Sequence, residues 1–172
     1  SVTDANGCTQ TLDINLDAPA ALTLASSNVT PTTCYSGTDG AISVSVQGGT
    51  GTYTYLWSDA AVQTASEAVA LARGSYTVTA TDGNGCTLVS NFSVGSQGAQ
   101  IFLTPGAVST DCLGASNGAA TINASGGAGN FSFIWSNGQT GTTLSNLTAG
   151  AYSVTATDAA GCTETAVADV LS

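Results

Sequence analysis

The chain has 172 residues and a formal charge of −10, from eleven carboxylates and a single cation, Arg73. A surface with one cation cannot displace counterions from a phosphate backbone or an anionic bilayer, so nucleic acid and charged membrane surfaces are excluded as partners. No stretch approaches the roughly 18 apolar residues of a membrane span, and none inserts in this segment.

The residue mix sets the fold class. Apolar residues make up 42%, with 21 Gly and no Met. Lys is absent and Glu occurs only at Glu67 and Glu164, while Ser, Thr, Gly, Ala and Val dominate. That mix favours extended strands joined by glycine turns. An all-β protein is expected.

The chain opens on Thr3-Asp4-Ala5-Asn6-Gly7-Cys8-Thr9. The motif returns as Thr81-Asp82-Gly83-Asn84-Gly85-Cys86-Thr87 and as Thr157-Asp158-Ala159-Ala160-Gly161-Cys162-Thr163, its cysteines 78 and 76 residues apart. Fixed-period self-similarity is the mark of a repeat architecture. Cys34 and Cys112 keep the interval of 78, as do Trp57 and Trp135. Gly-Gly-Thr-Gly at 48–51 answers Gly-Gly-Ala-Gly at 126–129. Leu71-Ala72-Arg73-Gly74-Ser75-Tyr76 answers Leu147-Thr148-Ala149-Gly150-Ala151-Tyr152. Arg73 thus sits where its counterpart is alanine, so no repeat-wide chemistry depends on it. Residues 1–19 read as the C-terminal strand remnant of a preceding repeat, and 20–98 and 99–172 as complete repeats. A remnant this short buries too little surface to offset its ordering entropy. The natural protein is therefore expected to continue toward the N-terminus, with its export signal outside this segment.

Period-2 alternation marks the strands. Ile14 and Leu16 form one in the leading tail, followed by a short linker, Asp17-Ala18-Pro19-Ala20. Ile42, Val44 and Val46 alternate with polar residues, as do Ala120, Ile122 and Ala124. Tyr53, Tyr55 and Trp57 match Phe131, Phe133 and Trp135. Tyr76, Val78 and Ala80 form another face, and Phe92 and Val94 close the repeat. Asp39-Gly40 and Asn117-Gly118 read as turns into a strand. The expected architecture is tandem immunoglobulin-like antiparallel β-sandwich repeats of about 77 residues, six or seven strands each. Trp57 and Trp135 are the expected core tryptophans. Tyr76 and Tyr152 are expected to close the turn between the last two long strands.

These landmarks resemble the SprB-type repeat of giant cell-surface adhesins of gliding Bacteroidetes. Its pattern runs Cys-x-Gly, a strand, Gly-Gly-x-Gly-x-aromatic-x-aromatic-x-Trp-Ser, Leu-x-x-Gly-x-Tyr and Thr-Asp-x-x-Gly-Cys. Cys34-Tyr35-Ser36-Gly37 departs from the first element by one residue, whereas Cys112-Leu113-Gly114 keeps it. The resemblance covers nearly the whole chain. It implies an adhesin exported by type IX secretion that extends from the cell as a filament, with a role in gliding motility or surface attachment.

Five cysteines in an extracellular chain should mostly pair. Cys34–Cys86 with Cys112–Cys162 would staple each repeat internally and leave Cys8 to an upstream partner. Cys8–Cys34 with Cys86–Cys112 would bridge successive repeats. The first is preferred, because the odd cysteine then belongs to the incomplete repeat. A loop of some 50 residues closed this way adds about 4 kcal/mol in the chain-entropy account.

Asp4, Asp82 and Asp158 recur in Asp-x-x-Gly, and Asp39 lies in another turn. They read first as turn carboxylates bonding their own backbone, and second as a Ca²⁺ site near the junctions between repeats. Calcium wants six to eight oxygens, and no Asp-rich loop is present. No other cofactor is expected. The aromatic trios read as one sheet face, with a sugar-stacking platform as the alternative. Asn-x-Ser/Thr occurs at Asn28, Asn91, Asn123, Asn130 and Asn146. Without histidine or lysine as a base, and with cysteines that read as structural, the chain is not expected to be an enzyme.

The first functional expectation is a structural stalk, whose partners are neighbouring repeats of the same chain and, elsewhere, an extracellular polysaccharide or surface ligand. A glycan- or protein-binding module is the second, with the loop at 59–67, against 137–143, as its candidate surface. A self-assembling extracellular filament, in which an orphan strand completes a neighbour, is the third.

Overall fold

The computed structural model describes residues 1–15, 18–112 and 114–172. Leu16 of the expected leading strand, Asp17 of the expected linker and Leu113 lie outside them. A two-stranded hairpin comes first, β1 (Val2–Thr3) and β2 (Thr9–Gln10). The first sandwich is made of β3 (Thr23–Thr30), β4 (Gly40–Gln47), β5 (Thr54–Trp57), β6 (Glu67–Leu71), β7 (Gly74–Thr81) and β8 (Thr87–Val94). The second comprises β9 (Ile101–Val108), β10 (Gly118–Gly126), β11 (Ser132–Trp135), β12 (Thr143–Leu147), β13 (Gly150–Thr157) and β14 (Thr163–Val170). No helix occurs among the described residues.

Each sandwich has two three-stranded sheets. In the first, β3-β4-β6 faces β5-β7-β8; in the second, β9-β10-β12 faces β11-β13-β14. All strand pairs within sheets are antiparallel. The fold is therefore all-β, an antiparallel sandwich built twice. In β4 the alternation puts Ile42, Val44 and Val46 inside and leaves Ser45 and Gln47 exposed. Trp57 packs with Ile42, Val44, Ala68, Leu71, Val78 and Val94. Trp135 does the same with Ile122, Phe133, Leu144, Val154 and Val170. Burying each large aliphatic side chain contributes roughly 1.5–3 kcal/mol. Each indole N–H also has a partner, donating to the Ala65 and Gly141 carbonyls respectively at 2.9 Å.

Two local devices shape both sandwiches. The Tyr76 hydroxyl donates to the Ala72 carbonyl at 2.9 Å, and Tyr152 to Thr148 at 3.0 Å. These tyrosines close the turns entering β7 and β13, one strand earlier than the last hairpin expected from sequence. The reason is that Leu-x-x-Gly is itself the sheet-to-sheet crossover: Leu71 and Leu147 end strands of one sheet, and Gly74 and Gly150 begin strands of the other. The second device is a bulge. Ala70 and Asn146 take left-handed angles, φ 55° and 56°, where the β4–β6 and β10–β12 registers shift.

The outer strands decide which loops reach which end of a sandwich. The end of β3 meets the end of β8 through a parallel bridge, Thr32 to Ser96. First and last strands therefore run the same way, toward the C-terminal end of the sandwich. In the second copy the Thr110 N–H donates to the Leu171 carbonyl at 2.9 Å in the matching place.

Candidate functional site: the junction between the sandwiches

The N-terminal end of each sandwich is organised by the Asp-x-x-Gly-Cys turn. Asp158 Oδ1 accepts from the N–H groups of Ala160 and Cys162, both at 2.9 Å. Its Oδ2 accepts from the N–H of Ala128, in the Gly-Gly loop, at 2.8 Å. Asp82 repeats this with Asn84, Cys86 and Thr50 at 3.0, 2.8 and 2.9 Å. The carboxylate thus ties its own turn to a loop some thirty residues away. Glycine is required opposite it: Gly127 has φ +51°, and a Cβ there would sit 2.7 Å from Asp158 Oδ2. The N–H of Thr50 on Asp82, and of Ala128 on Asp158, hold both carboxyls below the usual carboxylate value, against the opposing effect of burial.

The C-terminal end of the first sandwich is built on Thr32, which is fully buried. Its N–H donates to Gly95, its carbonyl accepts from Gln97 at 2.8 Å, and its hydroxyl donates to the Cys34 carbonyl at 2.6 Å. Asp39 accepts from the Thr33 hydroxyl and N–H, and these bonds lower its pKa. Together they fix the loop that presents Cys34.

The two ends meet. Cys34 is bonded to Cys162 with Cα atoms 5.5 Å apart, across 128 residues of sequence, while Cys8, Cys86 and Cys112 are free and exposed. Both expected pairings are thereby corrected: neither Cys34–Cys86 with Cys112–Cys162, nor Cys8–Cys34 with Cys86–Cys112. The physical reason is the strand direction. Within one sandwich, β3 delivers Cys34 to the C-terminal end, while the β7–β8 turn holds Cys86 at the N-terminal end, an eight-residue strand away. That is about 26 Å, too far for a bond that needs Cα atoms within roughly 7 Å. Gly98 lets the ends close: a Cβ there would lie 2.9 Å from the Thr33 carbonyl oxygen and 3.6 Å from Cys162 Sγ. A cleft of about 400 Å³ remains beside the bond, lined by Thr33, Gln97, Gly98, Gly127 and Asp158.

The other residues singled out in the sequence lie apart from one another. Asp158 reaches the junction beside Thr33, the partner of Asp39, whereas Asp82 lies at the opposite end of the first sandwich and Asp4 in the hairpin. No group of three metal-ligating side chains forms among the described residues. The aromatic trios face inward: Trp57 and Trp135 are 2% exposed, and Tyr55 and Phe131 pack against the cores. The residues that face outward on those strands are Thr54 and Leu56 in the first sandwich and Ser132 and Ile134 in the second. The five Asn-x-Ser/Thr asparagines are all exposed.

In the loop at 59–67, Asp59 accepts from the N–H groups of Ala61 and Gln63, and from the Gln63 side chain. Burial pushes its pKa up, but these bonds outweigh it and leave it lowered. Gln63 in turn exchanges two bonds with the Val69 backbone, so the loop is internally braced. Sequence reasoning missed one contact, the Arg73 guanidinium 3.8 Å above the Tyr35 ring. The sole cation and an aromatic residue beside Cys34 were the available signal.

Both copies of the Gly-Gly loop, the core tryptophan and the strand leading into them lie in stretches that match one family pattern. The SprB repeat matches residues 26–62 and 107–140. Two stretches of the chain, one in each sandwich, are thus similar to the SprB repeat. No curated protein matches the chain. Among solved structures, a two-domain DIP-gamma fragment, IG1+IG2, is 11% identical, with 87% of this chain and 96% of that one covered and a TM-score of 0.37. The fibronectin(III)-like modules of Clostridium thermocellum CbhA are 16% identical, with 88% and 94% covered and a TM-score of 0.32. Similarity at that level carries no weight for function. The sandwich assignment rests on the chain's own strand pairing.

Proposed function

We propose that this chain is a stalk segment of a large surface adhesin, exported by type IX secretion and used in attachment or gliding. In this reading residues 20–98 and 99–172 are two domains of a tandem array, residues 1–19 end a preceding repeat, and the ligand-binding region lies elsewhere. The observation that supports it is the covalent junction. Cys34–Cys162 joins two sandwiches that each have a separate core, which suits a chain that transmits force rather than one that encloses a substrate. The disulfide suits an oxidising, extracellular setting. A sparse acidic surface suits long exposure without nonspecific association. No catalytic role is proposed, and the aspartates act as turn clamps.

The test is a binding screen of the oxidised chain against glycans and extracellular polysaccharides, with small-angle scattering of the same sample. The stalk reading expects no glycan signal and an elongated particle, each repeat adding about 35–40 Å. A glycan signal abolished by shortening the 59–67 loop would overturn it in favour of a binding module.

A further inference from the structure

We propose that the Cys34–Cys162 bond is one of a series, with Cys112 pairing to the Cys162 counterpart of a following repeat and Cys86 to the Cys34 counterpart of a preceding one. The inference rests on the array reading and says how the array is held together.

Equivalence in place and in local bonding carries it. Cys112 stands on the same platform as Cys34: the Thr110 N–H donates to the carbonyl of Leu171 as Thr32 does to that of Gly95, and the Thr110 hydroxyl donates to the Cys112 carbonyl as Thr32 does to Cys34. Cys86 stands on the same turn as Cys162, its N–H on Asp82 Oδ1 at 2.8 Å against 2.9 Å on Asp158. Both thiols are exposed and free. They cannot satisfy each other within one chain, because Cys86 sits at the N-terminal end of the first sandwich and Cys112 at the C-terminal end of the second. Two eight-residue strands, β8 and β9, separate them, about 50 Å at the usual rise. What distinguishes Cys34 and Cys162 from them is an adjoining sandwich.

Each bond forms by thiol–disulfide exchange with a disulfide-bearing oxidant, such as a secretory oxidoreductase. The two cysteine thiols give up two protons and two electrons, the new S–S bond forms, and the oxidant's disulfide becomes two thiols.

A bond at every junction changes how the array carries tension. Force arriving along β3 leaves at Cys34, crosses to Cys162 and continues down β14, so residues 35–161 lie in a covalent loop that carries none of it. A second line, offset by one repeat, enters at Cys86, runs along β8 and β9, and leaves at Cys112. Of the 25 residues between those two cysteines, β8 and β9 supply sixteen that are already extended. Every sandwich is then crossed by two nearly taut parallel strands, and the array cannot lengthen by unfolding its domains.

Two measurements test this. The chain is first lengthened by one more copy of residues 99–172, oxidised, and mapped by non-reducing peptide mass spectrometry. The expected result is Cys112 linked to the added copy's Cys162 counterpart, with Cys34–Cys162 retained. Cys112 still open to maleimide while the added sandwich is folded, by its own tryptophan fluorescence, would overturn the series and leave the stalk reading standing. A glycan signal in the binding screen would do the reverse. The 172-residue chain is then pulled from its termini. The reduced form should extend roughly 440 Å further than the oxidised form, at about 3.5 Å per residue across the loop. Equal extension of the two forms would overturn the load path.

Discussion

One turn occurs three times in this chain, in three settings. At Asp4–Cys8 it stands in an exposed hairpin, yet it closes as elsewhere, with the Asn6 and Cys8 N–H groups on Asp4 Oδ1 at 2.9 Å. At Asp82–Cys86 it sits on a sandwich, and the second carboxylate oxygen reaches the Gly-Gly loop. At Asp158–Cys162 it also meets a sandwich before it, and its cysteine is buried and bonded. The turn is thus local, the clamp belongs to the domain, and the disulfide belongs to the pair of domains. Each level is added by neighbours, with no change in the motif that matters.

The largest effect expected comes from removing the body beneath the third setting. Trp135→Ala should cost the second sandwich about 3–5 kcal/mol and leave the first intact. Urea unfolding monitored by Trp57 fluorescence should keep its midpoint, while Cys162, once reduced, should react with maleimide as fast as Cys8. Coincident loss of both sandwiches would mean that they are not separate folding units.

Next comes the junction alone. Gly98→Val drives a side chain into the Thr33 carbonyl oxygen, so native thiol labelling should rise from the three free cysteines toward five, with both cores unchanged by near-ultraviolet circular dichroism. Labelling that stays at three would show that the ends close without Gly98.

Acid loosens the clamped turns. Asp82 and Asp158 have lowered pKa values when folded. Their stabilisation is therefore present above the unfolded value of about 4 and is lost as pH falls through the lower folded one. Asp82→Asn or Asp158→Asn should lower the thermal midpoint at pH 7 and flatten its fall below pH 4, whereas Asp4→Asn, in the hairpin outside both sandwiches, should leave the pH 7 midpoint where it is. A pH 4-to-2 melting series on the three variants is the check.

The smallest effect tests the equivalence of the two sandwiches. Ala70 holds a left-handed angle that suits Gly or Asn better. Ala70→Gly should gain about 0.5–1 kcal/mol, and Asn146→Ala should lose a similar amount, both read from urea midpoints. A loss at Ala70→Gly or a gain at Asn146→Ala would show that the bulge is not shared.

Most of the architecture was legible because it is written in short-range terms. Alternation in β4 and β10, the glycine turns and the repeat period each depend on residues a few positions apart, and together they specify an all-β chain with two copies of one unit. Asp39 and Asn117 show where that reading thins. Asp39 accepts from Thr33, whereas Asn117 both accepts from the Asp111 N–H and donates to the Asp111 side chain. The same loop is closed by exchanged partners, and no local pattern announces it.

The sequence by itself determined which segments pair as strands, which side chains have the pattern of a core, and that Asp-x-x-Gly-Cys closes on itself, since each is set by backbone sterics and burial along a single element. Only the tertiary structure decided that the aspartate also grips the Gly-Gly loop, that the tyrosine closes the crossover instead of the last hairpin, and that Cys34 bonds Cys162. Those facts depend on strand direction. Because the first and last strands of a sandwich run parallel, they carry two kinds of cysteine to opposite ends, and a cysteine's partner then lies in the next domain.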